Sequence, residues 1–373
     1  MKVAVIGGGF FGSSIALELG CKGKTVHLIE ASDTLMSRAS AVNQARLHTG
    51  MHYPRDIETA AEAYEDYRTF SSNYPKAIRE IEQYYAISST GSLVSAQHFL
   101  EVAEGLGLPF TEVDPLNFFA SSKVDLLIRV PEATIDLAGL TEDVNRKLAA
   151  NPRVIIKRAN PITGISRWKG GGWKVESKSG KTEYYDAVVV ATYAMSRLFG
   201  SWLDLELPTV KSQVCEVVLG ELNGLGGTGM TIMDGPFWSV MPFGNTSQHS
   251  LTSVEHTPTL ESLDSLTDCQ KLHPSCGKIM QSECGGCSRR PSSKNKQTLD
   301  LFHSYVRKGL TFDLKSSIWT LKTTFVEKDG GRGTDNRVTQ VFRHKQGKAA
   351  LVFSGKIGSA PRIALEISRW LDQ

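Results

Sequence analysis

The chain has 373 residues, of which 40% are apolar and 22% charged, and its formal net charge is +3. This length favours two or three domains over one small core, and the composition is ordinary for a globular protein. So small a net charge gives no electrostatic reason to expect nucleic acid or a membrane surface as a partner. No apolar run approaches the ~20 residues that a membrane-spanning helix needs. Met1 leads almost directly into a predicted strand, so we expect a cytoplasmic protein.

The first thirty residues carry the most specific pattern in the chain. A short apolar strand precedes Gly7, Gly9 and Gly12, which stand in a G-x-G-x-x-G arrangement, and a helical stretch and a second strand ending at Glu30 follow. In such a unit the three glycines allow a sharp turn, a close approach to a pyrophosphate and tight packing of helix on strand. The helix N-terminus offers free N–H groups to the phosphates, and the acid accepts hydrogen bonds from a ribose. The unit therefore predicts a dinucleotide site.

A segment with little regular pattern, residues 31–55, follows this unit. It is unusually dense in side chains that donate hydrogen bonds, and it lies beside the nucleotide turn in sequence. These side chains are Arg38, Asn43, Gln44, Arg46, His48, His52, Tyr53 and Arg55.

Helical patterns recur along the rest of the chain. Asp56 and Ser95 are suitable N-caps, and each precedes a stretch with helical apolar spacing. Further helices are predicted at residues 135–149, 298–308 and 359–371.

Strand patterns are more numerous than helical ones. Residues 84–94 predict two strands around Gly91, and residues 162–175 predict a hairpin around three consecutive glycines. Residues 185–192 form an almost continuous apolar run, which is typical of a parallel strand buried on both faces. Other strands are predicted at residues 124–130, 154–156, 210–222, 230–234, 238–241, 251–255, 317–326, 338–342 and 349–353.

Residues 257–297 look irregular and contain four of the six cysteines, Cys269, Cys276, Cys284 and Cys287. Only the last two have the C-x-x-C spacing of a zinc knuckle. We therefore expect a reduced loop and no metal, with structural zinc as the alternative. The basic residues between 288 and 296 have no aromatic residues among them, so we expect a solvated loop and no nucleic-acid site.

Four blocks of the chain resemble the D-amino-acid-oxidase-like FAD-dependent oxidoreductases. Relatives in that family include glycine and sarcosine oxidases, glycerol-3-phosphate dehydrogenase and L-2-hydroxyglutarate oxidase. The blocks are residues 3–30, 40–53, 154–192 and 335–358 with the helix after them. The second block, with its Asn…His-x-Gly…Tyr form, is most similar to the hydroxyglutarate and glycerophosphate branch. In the fourth, Arg337 is followed by Val338, where the family usually has Pro.

This resemblance implies an α/β fold: a Rossmann-like domain that holds FAD in an extended pose, and an inserted, sheet-rich α+β substrate domain. The FAD-binding domain would comprise residues 1–75, 131–204 and 331–373. The substrate domain would comprise residues 76–130 and 205–330, with the irregular insertion at 257–297.

The resemblance also implies a set of residues that contact the cofactor. Its pyrophosphate would lie on the glycine turn, its ribose on Glu30, and its ring near the second and fourth blocks. The full set is Gly7, Gly9, Phe10, Phe11, Gly12, Glu30, Arg38, Asn43, Gln44, Thr192, Gly355, Lys356 and Ile357.

The candidates for catalysis are Arg46, His48, Tyr53, Arg337 and Lys356. His48 could act as the general base or carry a covalent flavin link, and Arg337 could hold a substrate carboxylate. Lys356 could stabilise the reduced, anionic flavin.

We therefore expect an enzyme that oxidises a C–H bond beside an amine or hydroxyl of a small, anionic substrate of the amino-acid or 2-hydroxy-acid type, by hydride transfer to FAD. An NAD(P)-linked reductase and a flavin-binding scaffold without turnover are the alternatives. The oligomeric state is left open.

Overall fold

A computed structural model describes residues 1–263, 290–326 and 339–373. The helices are α1 (Phe10–Cys21), α2 (Ile57–Asn73), α3 (Ala96–Gly105), α4 (Leu137–Ala149), α5 (Ser196–Trp202), α6 (Asn295–Tyr305) and α7 (Ala360–Asp372). The strands are β1 (Lys2–Ile6), β2 (Thr25–Ile29), β3 (Arg46–Leu47), β4 (Ile78–Ser88), β5 (Thr111–Glu112), β6 (Val124–Ile135), β7 (Val154–Lys157), β8 (Ile162–Arg167), β9 (Trp173–Ser177), β10 (Thr182–Tyr185), β11 (Ala187–Val190), β12 (Val210–Asn223), β13 (Gly229–Met233), β14 (Trp238–Pro242), β15 (His249–Ser253), β16 (Pro258–Leu263), β17 (Thr311–Phe325), β18 (Gln340–Arg343) and β19 (Ala349–Phe353). No described helix is long and apolar enough to cross a membrane.

A six-stranded sheet is built around β1, in the order β18-β19-β11-β1-β2-β7, and only β18 runs antiparallel to its neighbour. Its central strands are buried on both faces, as their apolar sequences require. Helices α1, α4 and α7 contribute to the core that includes Val3 and Val5, whereas β9 and α5 contribute to the core that includes Ala4 and Ile6. The alternation of side chains along β1 therefore divides the packing between two layers.

A larger mixed sheet has the order β16-β12-β15-β14-β13-β4-β6-β3, with β17 paired to β12 and β5 paired to β6. The two-residue strand β3 forms one edge, where Arg46 lies opposite Thr134 and Leu47 opposite Ala133 in an antiparallel register. This short pairing attaches the donor-dense segment after the nucleotide turn to the mixed sheet. It therefore determines where the side chains of residues 46–53 can reach.

Most predicted elements are present, and both predicted N-caps are confirmed. Asp56 accepts a hydrogen bond from the Thr59 N–H at 2.9 Å, and Ser95 accepts one from the His98 N–H at 3.1 Å. The hairpin around the three glycines is the antiparallel pair β8–β9.

Two strand predictions were wrong. The expected strand pair around Gly91 is instead a single strand, β4, which pairs along its length with β6. Residues 185–192 do not form one strand, because β10 ends at Tyr185 in a three-stranded antiparallel sheet and β11 begins at Ala187 in the parallel sheet. The break falls at Asp186, whose N–H donates to the Lys2 carbonyl at 2.9 Å and whose carboxylate accepts from the Lys2 N–H at 2.6 Å. Long-range pairing, which local periodicity does not report, decided both cases.

The predicted irregular segment is ordered at both ends, since residues 258–263 form β16 and residues 295–297 begin α6. Its four cysteines lie outside the described residues, as does Arg337. The predicted division into two domains stays a prediction.

Candidate functional site

The glycine turn after β1 has the backbone geometry that its sequence predicts. Gly7 has a φ of +106°, a conformation that favours glycine, and its N–H donates to the Ile29 carbonyl at 2.8 Å. A Cβ atom on Gly12 would overlap the Gly7 carbonyl oxygen. The turn and the start of α1 can therefore approach each other this closely only with glycine at both positions.

Two side chains bind the backbone of this turn from outside it. The Glu30 carboxylate accepts hydrogen bonds from the N–H groups of Gly8 and Ser32, at 2.7 and 2.8 Å. The hydroxyl of Ser40 accepts from the Phe10 N–H at 2.9 Å. Ser40, which the sequence did not single out, thus brings residues 31–55 against the N-terminus of α1.

The residues around the turn fit an FAD molecule on two observations. First, the Gln44 amide nitrogen and the Thr192 hydroxyl are buried with no hydrogen-bond partner among the described residues, so each can take a partner from a ligand. Second, the open N–H groups at the start of α1 and the remaining lone pairs of Glu30 suit phosphate and ribose. The Phe10 ring is buried against Phe70 and Tyr74.

The predicted cofactor residues Arg38 and Asn43 are held by local contacts. Asn43 donates from its amide to the Ala39 carbonyl at 2.9 Å and accepts from the Ala45 N–H at 2.6 Å. Arg38 donates to the Ser32 hydroxyl at 3.3 Å. These bonds shape the loop without help from a ligand.

A second group of functional side chains begins at β3. Arg46 donates from its guanidinium to the hydroxyls of Thr231, at 2.6 Å, and Ser239, at 3.0 Å. Gln83 donates to the same Thr231 hydroxyl at 3.1 Å. Arg46 therefore contacts β13 and β14 of the mixed sheet, and it connects the donor-dense segment to strands that are distant in sequence.

His48 lies beside a buried carboxylate. Its Nδ1 is 3.7 Å from Oε1 of Glu132, whose side chain has no exposed surface. The Tyr85 hydroxyl donates to the same oxygen at 2.8 Å, and the Thr49 N–H donates to it at 3.4 Å. Burial raises the pKa of Glu132, while the nearby Arg46 charge and the bonds from Tyr85 and Thr49 oppose that shift.

Aromatic rings surround His48. Its imidazole stacks on that of His52 with centroids 4.3 Å apart, and the Tyr53 ring meets it edge-on at 5.4 Å. Tyr53 is almost wholly buried. The imidazole is therefore held by ring packing and lies beside the Glu132 carboxylate.

The segment after β19 approaches these side chains. Lys356 forms an ion pair with Glu62 of α2 at 2.7 Å and lies 5.2 Å from the centre of the Tyr53 ring. A Cβ atom on Gly358 would lie 2.8 Å from a methyl group of Leu47. The C-terminal segment of the parallel sheet thus packs directly against β3. The side chains that we call the His48 group lie where the two sheets meet: His48, His52, Tyr53, Tyr85 and Glu132.

The ion pair of Lys356 belongs to a larger cluster on α2 and α7. Arg362 binds both Glu62 and Asp66, with its Nε 2.7 Å from the Asp66 carboxylate. Asp66 is nearly fully buried, and this burial raises its pKa to about 6 although Arg362 acts in the opposite direction. The cluster fastens the C-terminal helix to α2.

The structure brings His48, Arg46, Tyr53 and Lys356 into one region, as the resemblance implied. Gly355 and Ile357 border it: the Gly355 N–H donates to the Thr339 hydroxyl at 3.0 Å, and Ile357 packs on the main core. The site residues that sequence reasoning missed are Ser40, Glu62, Tyr85, Glu132, Thr231, Asp234 and Ser239. Glu132 alone had a visible signal, because it is an acid within the otherwise uncharged stretch 130–135.

Comparisons with known proteins are consistent with this geometry. A family model described as FAD dependent oxidoreductase (DAO) matches residues 2–305. The chain is 28% identical over 258 residues to the FAD-dependent monooxygenase FPY4 of Fusarium mangiferae, covering 69% of this chain and 65% of that protein. It is 25% identical over 171 residues to one component of the anaerobic glycerol-3-phosphate dehydrogenase of Escherichia coli K12, covering 44% of this chain and 31% of that protein. The chain thus spans less than two thirds of the length of these relatives.

Solved structures match over the whole chain. The crystal structure of glycine oxidase from Geobacillus kaustophilus has a TM-score of 0.74 at 14% identity, covering 100% of this chain and 95% of that one. The L-α-glycerophosphate oxidase of Mycoplasma pneumoniae, solved with FAD bound, has a TM-score of 0.71 at 14% identity, with coverages of 100% and 94%. At such low identities these structures establish the fold alone, and the family model establishes the family. The chain belongs to the DAO family of FAD-dependent oxidoreductases, as its four blocks predicted.

Proposed function

We propose that this protein oxidises a C–H bond beside an amine or hydroxyl of a small substrate and passes the hydride to FAD. The observation that carries the proposal is the meeting of the His48 group with the C-terminal segment at the junction of the two sheets. Gly358 against Leu47 and Lys356 over Tyr53 make that junction. At this junction a candidate base, His48, lies near a buried acid, Glu132, and a cation, Lys356, where we expect the flavin ring.

The bound flavin supplies hydride acceptance, and the residues of the chain supply binding and proton transfer. The turn at Gly7 to Gly12 and the Glu30 carboxylate hold the pyrophosphate and ribose. His48 takes the proton from the substrate hydroxyl or ammonium at one ring nitrogen. Lys356 keeps a positive charge at the junction, although its ion pair with Glu62 offsets part of that charge.

Recognition of an anionic substrate falls to Arg337 in this proposal. Two cations near the site already have carboxylate partners: Lys356 pairs with Glu62, and Arg55 pairs with both oxygens of Asp234. Arg46 is engaged by two hydroxyls. A guanidinium can bind a carboxylate in a bidentate manner, and the family resemblance assigns this role to Arg337.

Anaerobic mixing of the purified flavoprotein with a panel of amino acids and 2-hydroxy acids tests the proposal. We expect the flavin absorbance to bleach with at least one class of compound. Arg337→Ala should raise the apparent dissociation constant of an anionic substrate without preventing FAD binding. An unchanged dissociation constant would remove Arg337 from the site.

A flavin monooxygenase is a second candidate, favoured by the 28% identity to FPY4. In that case the substrate would not reduce the flavin, and the electrons would come from a nicotinamide cofactor. Anaerobic addition of NADH and NADPH separates the two functions. Bleaching by NAD(P)H but by no member of the substrate panel would support the monooxygenase and contradict the leading proposal.

A further inference from the structure

The short strand β3 places an acid beside the candidate base. Arg46 pairs with Thr134 and Leu47 with Ala133, so one more step along the antiparallel register sets His48 opposite Glu132. Directly opposed residues in such a pair have side chains within reach of each other. The 3.7 Å between His48 Nδ1 and Glu132 Oε1 follows from this register.

The surroundings hold Glu132 in that position. Its oxygen Oε1 takes hydrogen bonds from the Tyr85 hydroxyl at 2.8 Å and the Thr49 N–H at 3.4 Å, on the side next to His48. The second oxygen, Oε2, is buried and has no hydrogen-bond partner among the described residues. A buried carboxylate with donors on only one oxygen is costly to keep for stability alone. The two donors hold Oε1, the oxygen that is nearest to His48, in place.

From these contacts we infer that Glu132 is a positioning residue, which holds His48 with its Nδ1–H toward the carboxylate and leaves Nε2 as the basic nitrogen. The inference rests on the proposed function, in which His48 is the base. A neighbouring carboxylate fixes the tautomer of an imidazole and raises its basicity. A distance of 3.7 Å exceeds a hydrogen bond, and such contacts commonly tighten when the substrate binds.

Several charged or titratable groups act on this pair from the neighbouring elements. Arg46 comes from β3, Tyr85 from β4, and His52 and Tyr53 from the segment that carries His48. The Arg46 charge favours the ionised form of Glu132 against the effect of burial. Arg46 and the two hydrogen-bond donors therefore lower the pKa of Glu132, against the larger effect of burial, which raises it.

Nitrogen NMR of ¹⁵N-histidine-labelled, FAD-loaded full-length protein tests the inference independently of turnover. His48→Gln assigns the His48 signals among the nine histidines. In the wild type we expect neutral His48 to carry its proton on Nδ1. In Glu132→Gln we expect its pKa to fall by about one unit, because an opposite charge at this distance is lost. Asp125→Asn, an exposed acid on the same strand, should leave the His48 pKa unchanged.

Kinetics give the second readout where the leading function holds. Glu132→Gln should lower the rate of flavin reduction by about 10- to 100-fold with little change in KM, since the residue acts through the base and not on the substrate. A wild-type His48 protonated on Nε2, or an identical His48 pKa in the wild type and Glu132→Gln, would overturn the inference. If Glu132→Gln does not fold, the wild-type tautomer and the milder Tyr85→Phe variant still decide it. A panel that never bleaches the flavin would count against the proposed function alone, because the NMR result does not depend on turnover.

Discussion

In the proposed function, the glycine turn and the His48 group serve the same cofactor by different means. The turn is made of backbone from residues close in sequence, and its shape depends on the absence of side chains at Gly7 and Gly12. The His48 group is made of side chains from the segment after β3, from β4 and from β6, and the neighbouring Lys356 pairs with Glu62, 294 residues away in sequence. A site of the first kind is fully specified by a local motif. A site of the second kind depends on strand register and helix docking.

The largest expected effect concerns the base in the second region. His48→Asn should slow flavin reduction by about 10² to 10⁴-fold, because a positioned general base contributes this much to the rate. The FAD content should stay unchanged, since the turn is untouched. His303→Asn, an exposed histidine on α6, is the control and should react at the wild-type rate. Stopped-flow absorbance at the flavin band measures the reduction rate of both variants. A wild-type rate in His48→Asn would contradict the role of His48 as the base.

The next effect concerns the first region. Gly12→Ala would press a methyl group into the Gly7 carbonyl, and it should cost about 3 kcal/mol and release FAD. Gly105→Ala, at the end of α3 with open space around it, should keep both stability and FAD. Flavin absorbance per protein and thermal unfolding report the result. Full FAD occupancy in Gly12→Ala would contradict the close packing of turn and helix.

A smaller effect is expected where the two regions are joined. Glu62→Gln removes the shared partner of Lys356 and Arg362, whose side chains are 9% and 22% exposed. We expect a loss of about 2 kcal/mol in the free energy of unfolding, less than for a fully buried pair, because Arg362 keeps Asp66. Glu366→Gln breaks an exposed pair with Arg343 and should cost under about 1 kcal/mol. If urea denaturation gave the same loss in the free energy of unfolding for Glu62→Gln and Glu366→Gln, the α2–α7 cluster would stabilise the fold no more than an exposed ion pair does.

A change of similar size is a pH dependence in the same cluster. Burial raises the pKa of Asp66 from 3.8 to about 6, against the opposing Arg362, so the folded state binds this proton more tightly than the unfolded state. The contribution of Asp66 to the free energy of unfolding should therefore fall between about pH 4 and pH 6, by on the order of 2 kcal/mol, and stay level above. Asp66→Asn should lose this slope, whereas the exposed Asp125→Asn should keep it. Urea titrations from pH 4 to pH 7 make the comparison, and parallel slopes in the wild type and Asp66→Asn would refute it.

Prediction from sequence succeeded wherever the cause was local. The caps at Asp56 and Ser95, the hairpin around the glycines and the nucleotide turn all depend on a few neighbouring residues. It failed at residues 84–94, where pairing with β6 replaced the expected hairpin. For the same reason it proposed His48 as a site residue but not Glu132, since a single polar residue in a strand does not reveal its partner.

The sequence by itself determined the fold class, the family and the shape of the glycine turn, because steric rules at Gly7 and Gly12 leave the backbone few alternatives. Only the tertiary structure decided what surrounds His48. It placed His48 beside Glu132 just beyond the end of β3, joined Lys356 to Glu62, and engaged Arg46 with β13 and β14. These contacts depend on how whole elements pack, and a side chain's chemistry in a buried site depends on its neighbours.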